Sequence, residues 1–336
     1  MPETTPQRPW IETPLLESAA LSKINGCRIF LKLENLQPSK SFKSRGIGNF
    51  IVQSIQSTPN PSSQPHFYIS SGGNAGLACV TACSTLGYKA TVVVPLSTKQ
   101  FMIEKLKIAG ADVIQYGETW FHADQHLRND ILSKDPGGVY VPPFDHPNVW
   151  DGAATLVPEW ETQLSHIGGL EQVEADGVVC CVGGGGLFAG IMQGILDQKK
   201  RKTKVIAVET KGAESLNASL EKGENSSLGG ITSIATSLGA IKVCQQAFDY
   251  AHENRDIVKS VVVSDQQAVQ ALLRFASEEN MIVEPACGST LSIAYEGKLK
   301  DHIEGLKEDS RVVLVVCGGS AVTLDLLDEW RKTYAN

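Results

Sequence analysis

The chain has 336 residues, 42% of them apolar, with 31 glycines. That is enough for two domains and a sizeable core, which excludes both a small disulfide-stapled scaffold and a disordered chain. Thirty basic against 37 acidic residues leave a net charge of −7, so nucleic acid and anionic membrane are not expected partners, and a small molecule is.

The N-terminal ten residues contain Glu3 and lack a continuous apolar stretch, so no secretory or transit segment is read there and the cytosol is the expected location. In chain order, residues 28–33 read as a strand, and the segment 38–46 leads from it into a helix. Strands follow at 66–70, 90–94 and 112–116, with helices at 74–86 and 98–109 between them. Prolines at 61–65 mark a loop, and a proline-rich stretch with Gly137-Gly138 at 135–148 is the expected domain crossing.

Strands at 178–182, 205–208, 259–263 and 312–316 alternate with helices at 187–198, 265–280 and 321–332. Short β-branched runs between amphipathic segments are the pattern of parallel sheets covered on both faces, an α/β fold. The uncharged residues 177–196, with Gly186, Gly190 and Gly194 at GxxxG spacing, resemble a membrane span in length. Their seven glycines fit strand, loop and helix better, with Lys199 to Lys202 at the helix C-terminus. Eight cysteines without a CxxC pair imply reduced thiols. Cys79 and Cys83, one helical turn apart, and the adjacent Cys180 and Cys181 read as small buried hydrophobes.

The run Val178 to Val182 followed by Gly183, Gly184, Gly185, Gly186 and Leu187 takes a buried strand into a loop that opens a helix. Converging backbone N–H groups and the helix dipole make this a cradle for a phosphate. From Gly184 the same residues spell GxGxxA, and Glu209 ends the next strand about 25 residues on, where a dinucleotide-binding fold places its ribose-binding acid. An NAD-dependent oxidoreductase is therefore a rival reading. Lys43, in Pro38-Ser39-Lys40-Ser41-Phe42-Lys43-Ser44-Arg45-Gly46, is by itself an ordinary lysine.

Three further segments add to it: Ser70-Ser71-Gly72-Gly73-Asn74-Ala75-Gly76, the tetraglycine loop, and Val316-Cys317-Gly318-Gly319-Ser320. In order and spacing they resemble the fold-type II pyridoxal-phosphate enzymes, and within them the eukaryotic catabolic L-serine/L-threonine dehydratases. Lys32-Leu33-Glu34-Asn35, Ile231 to Ala235 and Val283 to Gly288 match as well. The resemblance implies a tryptophan-synthase-β-like α/β fold with two open, twisted, mostly parallel sheets covered by helices. The expected division is a large discontinuous domain, 1–41 and 149–336, and a small domain, 42–148. The implied reaction takes L-serine, and L-threonine, to pyruvate or 2-oxobutanoate and ammonia through an aminoacrylate.

By the same resemblance Lys43 is the Schiff-base lysine and the base at Cα, Phe42 lies against the pyridine ring, and Asn74 bonds the ring hydroxyl. Gly183 to Gly186 with Leu187 hold the cofactor phosphate. Ser71, Gly72, Gly73, Asn74 and Ala75 take the substrate carboxylate, and Ser237 lines the pocket. Cys317 faces the pyridine nitrogen, where a neutral thiol gives a modest electron sink suited to β-elimination. Glu209 and Ala213 belong to a monovalent-cation site, K⁺ by the chemistry of a carboxylate with carbonyls. A homodimer is expected from the family.

The chain also departs from its relatives. Ala75 stands where serine racemases and biosynthetic threonine deaminases carry His, and few residues follow Trp330, so a C-terminal regulatory domain is not expected. Lys40 stands where relatives have Gly and is expected to face solvent, and Gly72 and Ser237 replace Ala of some homologues. Racemisation, β-replacement and a non-catalytic cofactor-binding role remain as alternatives at this point.

Overall fold

The computed structural model describes residues 7–58, 64–169, 173–199 and 202–334. The first six residues, part of the proline loop, and Lys200 and Arg201 of the basic run lie outside them. Among the described residues the strands are β1 (Leu15–Glu17), β2 (Arg28–Lys32), β3 (His66–Ile69), β4 (Ala90–Val94), β5 (Asp112–Gln115), β6 (Gly138–Tyr140), β7 (Gly177–Cys181), β8 (Lys204–Thr210), β9 (Val258–Val263) and β10 (Arg311–Val315). They form two sheets, parallel throughout except for the antiparallel pair β1 and β2.

The chain divides into two compact units, one made of the N-terminal stretch ending at Ile11 with Gln37–Gly152, the other of Glu12–Leu36 with the chain from Ala153 onward. The first unit is thus somewhat larger than the 42–148 read from the sequence. Gln37 exchanges two hydrogen bonds with the Ile11 backbone, at 3.1 and 2.9 Å, which ties the N-terminal stretch to this unit. At its other end Gly152 packs its bare Cα against Arg45 O and Gly46 of the helix Lys43–Gln56.

The first unit holds the sheet β5-β4-β3-β6. Side chains alternate across it, as strand geometry requires. Phe67, Ile69, Val92 and Val94 join a core with Ile47, Phe50, Ile51 and Cys79 on one face, while Tyr68 and Val93 meet Ala123 and Leu127 on the other. Because all four strands are parallel, the loops after β3, β4 and β5 gather at one edge of the sheet.

The second unit holds the sheet β1-β2-β10-β7-β8-β9. Every residue of β7 is buried, which accounts for its unbroken apolar run. The helix Pro285–Tyr295 is buried on all sides and packs along Asp265–Glu278. Gly288 allows that approach, since a Cβ there would strike Ala268 O. No helix among the described residues is long and apolar enough to cross a membrane. The 177–196 segment is instead β7, the glycine loop and most of the helix Gly186–Asp197.

The close packing at Gly152 gives a test of how Lys43 is held. Gly152→Ala places a methyl against Arg45 O, Asn49 Cβ and Gly46 Cα. It should destabilise the protein by roughly 1–3 kcal/mol, read as a lower denaturation midpoint with unchanged m.

Candidate active site

Lys43 is the first residue of the helix Lys43–Gln56, and Phe42 precedes it in an already helical conformation without a side-chain cap. The Lys43 amine is half-buried and donates to the Pro143 carbonyl at 2.6 Å. It lies 5.4 Å from the centroid of the Phe42 ring and 5.9 Å from that of Phe144. Upstream, the Ser39 and Ser44 hydroxyls share a hydrogen bond of 2.7 Å that closes the turn. Lys40 within that turn has φ of 64° and is exposed, as its expected place in solvent requires. The left-handed conformation is one that glycine adopts freely, whereas a side chain here costs about 1 kcal/mol.

The segment after β3 runs into the helix Asn74–Leu86 with Gly73 at its N-cap and no side-chain cap. Leu77 N–H is the first to close back, onto Gly73 O at 3.1 Å. The N–H groups of Asn74, Ala75 and Gly76 therefore precede the intrahelical ladder, the arrangement that favours a carboxylate. Gly76 has no freedom to carry a side chain, since a Cβ would collide with Ser71 O. A Cβ on Gly72 would come within 2.8 Å of the Thr98 methyl, so Thr98 fills the space that a side chain there would need. The structure thus brings Phe42 and Lys43 into one unit with Ser71, Gly72, Gly73, Asn74 and Ala75.

The second unit carries the remaining candidates. After β7 the four glycines open the helix Gly186–Asp197, with Gly185 at φ 91° as an uncapped N-cap. Cys244 N–H donates to Gly184 O at 2.9 Å and pins the loop. A Cβ on Gly183 would lie 2.9 Å from Ser237 O, and one on Gly185 would lie 2.6 Å from Ala247 Cβ. Leu187 is buried in the first turn behind them, and Ser237 is exposed in the short turn Thr236–Leu238.

Cys317 follows β10 and is 2% exposed. Hydrogen bonds with the Cys181 and Cys287 thiols, reinforced by burial, push it well above its ordinary pKa and keep it a neutral thiol. This trio was not legible in the sequence. Cys181 ends β7 and Cys287 lies in the helix Pro285–Tyr295, more than a hundred residues apart in the chain. Gly318 and Gly319, at φ 102° and 140°, turn the chain beneath Glu284, whose side chain would meet any Cβ at Gly319.

Glu209 is fully buried near the end of β8 and accepts the Leu216 and Asn217 N–H groups, each at 2.8 Å. Burial raises its pKa to about 8 against those two bonds. Ala213 is buried nearby in sequence, its N–H on Thr210 O at 2.9 Å. Among the described residues no group of three or more His, Cys, Asp or Glu side chains could hold a metal ion. The Ile231–Ala235 motif is structural: Ser233 bonds Thr210 at 2.8 Å and Asp265 at 2.5 Å. So is the Lys32-Leu33-Glu34-Asn35 motif, where buried Lys32 donates to Glu159, Thr13 O and Gln163 at 2.6, 2.7 and 2.8 Å.

Comparison with known proteins decides between the nucleotide and pyridoxal readings. Residues 7–318 match the family model described as pyridoxal-phosphate dependent enzyme. The chain belongs to the fold-type II pyridoxal-phosphate dependent enzymes. A catabolic L-serine/threonine dehydratase of Saccharomyces cerevisiae is 40% identical over 95% of this chain and 89% of that protein. A human protein named serine dehydratase-like is 41% identical over 95% of this chain and 94% of its own length. The crystal structure of a fungal L-serine ammonia-lyase from Rhizomucor miehei superposes with a TM-score of 0.89 at 35% identity, covering 98% of this chain and all of that one.

The residues present fit the family's cofactor. A phosphate needs bare backbone N–H groups at a helix start, and the collisions that any Cβ would make at Gly183 and Gly185 leave only glycine there. An aldehyde needs an amine, and Lys43 supplies one beside aromatic rings.

All eight cysteines of this enzyme are buried and none forms a disulfide. In the native protein none should react with an aromatic disulfide reagent on the minute timescale, and all eight should react after denaturation, counted by released chromophore.

Proposed function

We propose that this enzyme dehydrates and deaminates L-serine, and L-threonine, giving the 2-oxo acid and ammonia. The observation that carries the reading is Lys43: a half-buried amine at the head of a helix, on a main-chain carbonyl at 2.6 Å and beside two aromatic rings. It occurs in a chain 40% identical, over nearly its whole length, to a protein named for this reaction.

When bound, pyridoxal phosphate supplies the electron sink that stabilises negative charge at the substrate Cα. Lys43 Nζ would hold the cofactor through its aldehyde carbon and would be the base that takes the substrate Cα proton. Phe42 would pack against the pyridine ring and Asn74 would bond the ring hydroxyl. The backbone amides of Gly183 to Gly186 and Leu187 would hold the phosphate. Ser71, Gly73, Asn74 and Ala75 bind the substrate carboxylate through N–H groups, and Gly72 and Ser237 shape the space for its side chain.

Cys317 would face the ring nitrogen. Its thiol, kept neutral by Cys181, Cys287 and burial, would not hold that nitrogen firmly protonated, so charge would not persist at Cα. Expulsion of the β-hydroxyl is then favoured over reprotonation. Ala75 supports the same choice, because the helix start carries no imidazole beside Asn74. Lys43→Ala should lose the visible absorbance of the bound cofactor and 2-oxo acid release together. Retained turnover would remove Lys43 from the reaction.

Glu209 and the main chain near Ala213 form the cation site of this reading. A K⁺ ion there would supply the counter-charge that the buried carboxylate lacks. Exchanging K⁺ for tetramethylammonium should lower the melting temperature of the wild type and leave Glu209→Gln unchanged. We take the enzyme to be a homodimer of the cytosol, a compartment in which eight thiols stay reduced.

A further inference from the structure

The Ser71–Ala75 segment is braced by a side chain that the reaction above leaves unused. Trp120 begins the helix Trp120–His126, and its indole N–H donates to the Ser70 carbonyl at 2.7 Å. The bond joins the loop after β5 to the loop after β3, passing over the end of β4, which lies between those strands in the sheet. Its anchor is firm. Thr119 caps the helix by accepting the His122 N–H at 3.3 Å. Tyr116 N–H donates to Val94 O at 2.9 Å, and Leu96 N–H to Gly117 O at 2.8 Å, so the loops after β4 and β5 are tied together.

Trp120 is 49% exposed, so the ring contributes little to the core, whereas Ser70 is 1% exposed. The Ser70 hydroxyl has no partner among the described residues. The carbonyl is therefore the atom by which the indole holds this residue. The peptide joining Ser70 to Ser71 is trans and planar, so its C=O and N–H point in opposite directions. Fixing the carbonyl on the indole also fixes the direction of the Ser71 N–H. On the other side of Ser71 the chain has little freedom, because its carbonyl is packed against Gly76 Cα.

We propose that Trp120 is a positioning residue for substrate binding: by holding the Ser70 carbonyl it aims the Ser71 N–H at the substrate carboxylate. This rests on the dehydratase reading, in which Ser71 belongs to the carboxylate site. The role is one of pre-organisation, so its effect falls on the binding of any α-carboxylate and not on the chemistry at Cα.

The test is Trp120→Phe, which keeps an aromatic ring and deletes the donor, with Trp120→His restoring an N–H. For Trp120→Phe, KM for L-serine should rise roughly 3- to 10-fold, the worth of one neutral hydrogen bond, with kcat changed less than about twofold. The Kd of L-alanine, which has no β-leaving group, should rise by the same factor when read from the absorbance of the bound cofactor. Hydrogen exchange across residues 70–74 should quicken without a fall in melting temperature, and Trp120→His should recover part of the KM. Unchanged KM and Kd in Trp120→Phe, or a lowered melting temperature with neither constant moved, would overturn the proposal. Wild-type protein that neither binds L-alanine nor releases 2-oxo acid from L-serine would instead overturn the dehydratase reading itself, and the carboxylate assignment with it.

Discussion

On the pyridoxal-phosphate reading, ligand binding in this protein would depend on helix starts that follow a parallel strand, where the first backbone N–H groups lie ahead of the intrahelical ladder. Three helices spend such groups on a side-chain cap, with the oxygens of Ser18, Thr119 and Ser264 as acceptors. At the helices Asn74–Leu86 and Gly186–Asp197 the cap position is glycine and nothing caps. Glycine in place of such a cap costs the helix only about a few tenths of a kcal/mol, and it leaves no side chain between the helix start and an anion. Each unit contains one of these starts. A substrate carboxylate and a cofactor phosphate are the two anions that the family reading requires.

Glycine is needed there for two separate physical reasons, and they have different visibility in a sequence. Gly185 must adopt φ of 91°, a local requirement that a run of four glycines advertises. Gly76 and Gly183 are bare because carbonyl oxygens of Ser71 and Ser237 come too close for a Cβ. The second of these contacts joins residues more than fifty positions apart, so its cause could be seen only in the fold. Lys40 is the converse case. It occupies a left-handed position without being glycine, and its departure from the family pattern becomes intelligible only once its φ is known.

The same distinction governs how much of the fold was legible. Periodicity located the helix Asn74–Leu86 to the residue and most parallel strands to within one or two. The helix Pro285–Tyr295 escaped because it is buried on every side and so has no apolar stripe to betray it. The three-residue strands β1 and β6 are too short to alternate visibly. Ordered motifs named the lysine, the glycine loop and Cys317 through resemblance. Trp120 carried no local signal, since its partner Ser70 lies fifty residues away.

Cys317 shows how a site residue takes its character from neighbours that no motif identifies. A lone thiol beside a basic ring nitrogen could surrender its proton and become a thiolate partner of a protonated ring, which would deepen the electron sink. Here Cys181 and Cys287 hydrogen-bond to it in a buried environment where a thiolate would be poorly solvated and would face two further sulfurs. With the cofactor held as proposed, the neutral pair of thiol and unprotonated ring would thereby be favoured, and the sink would stay shallow. A shallow sink matters little when the β-substituent leaves as charge develops at Cα. It penalises reactions in which that charge must wait for a proton from the opposite face. On the dehydratase reading, three cysteines brought together by two strands and a helix thus help to select elimination from the several reactions that the same lysine and glycine loop can serve.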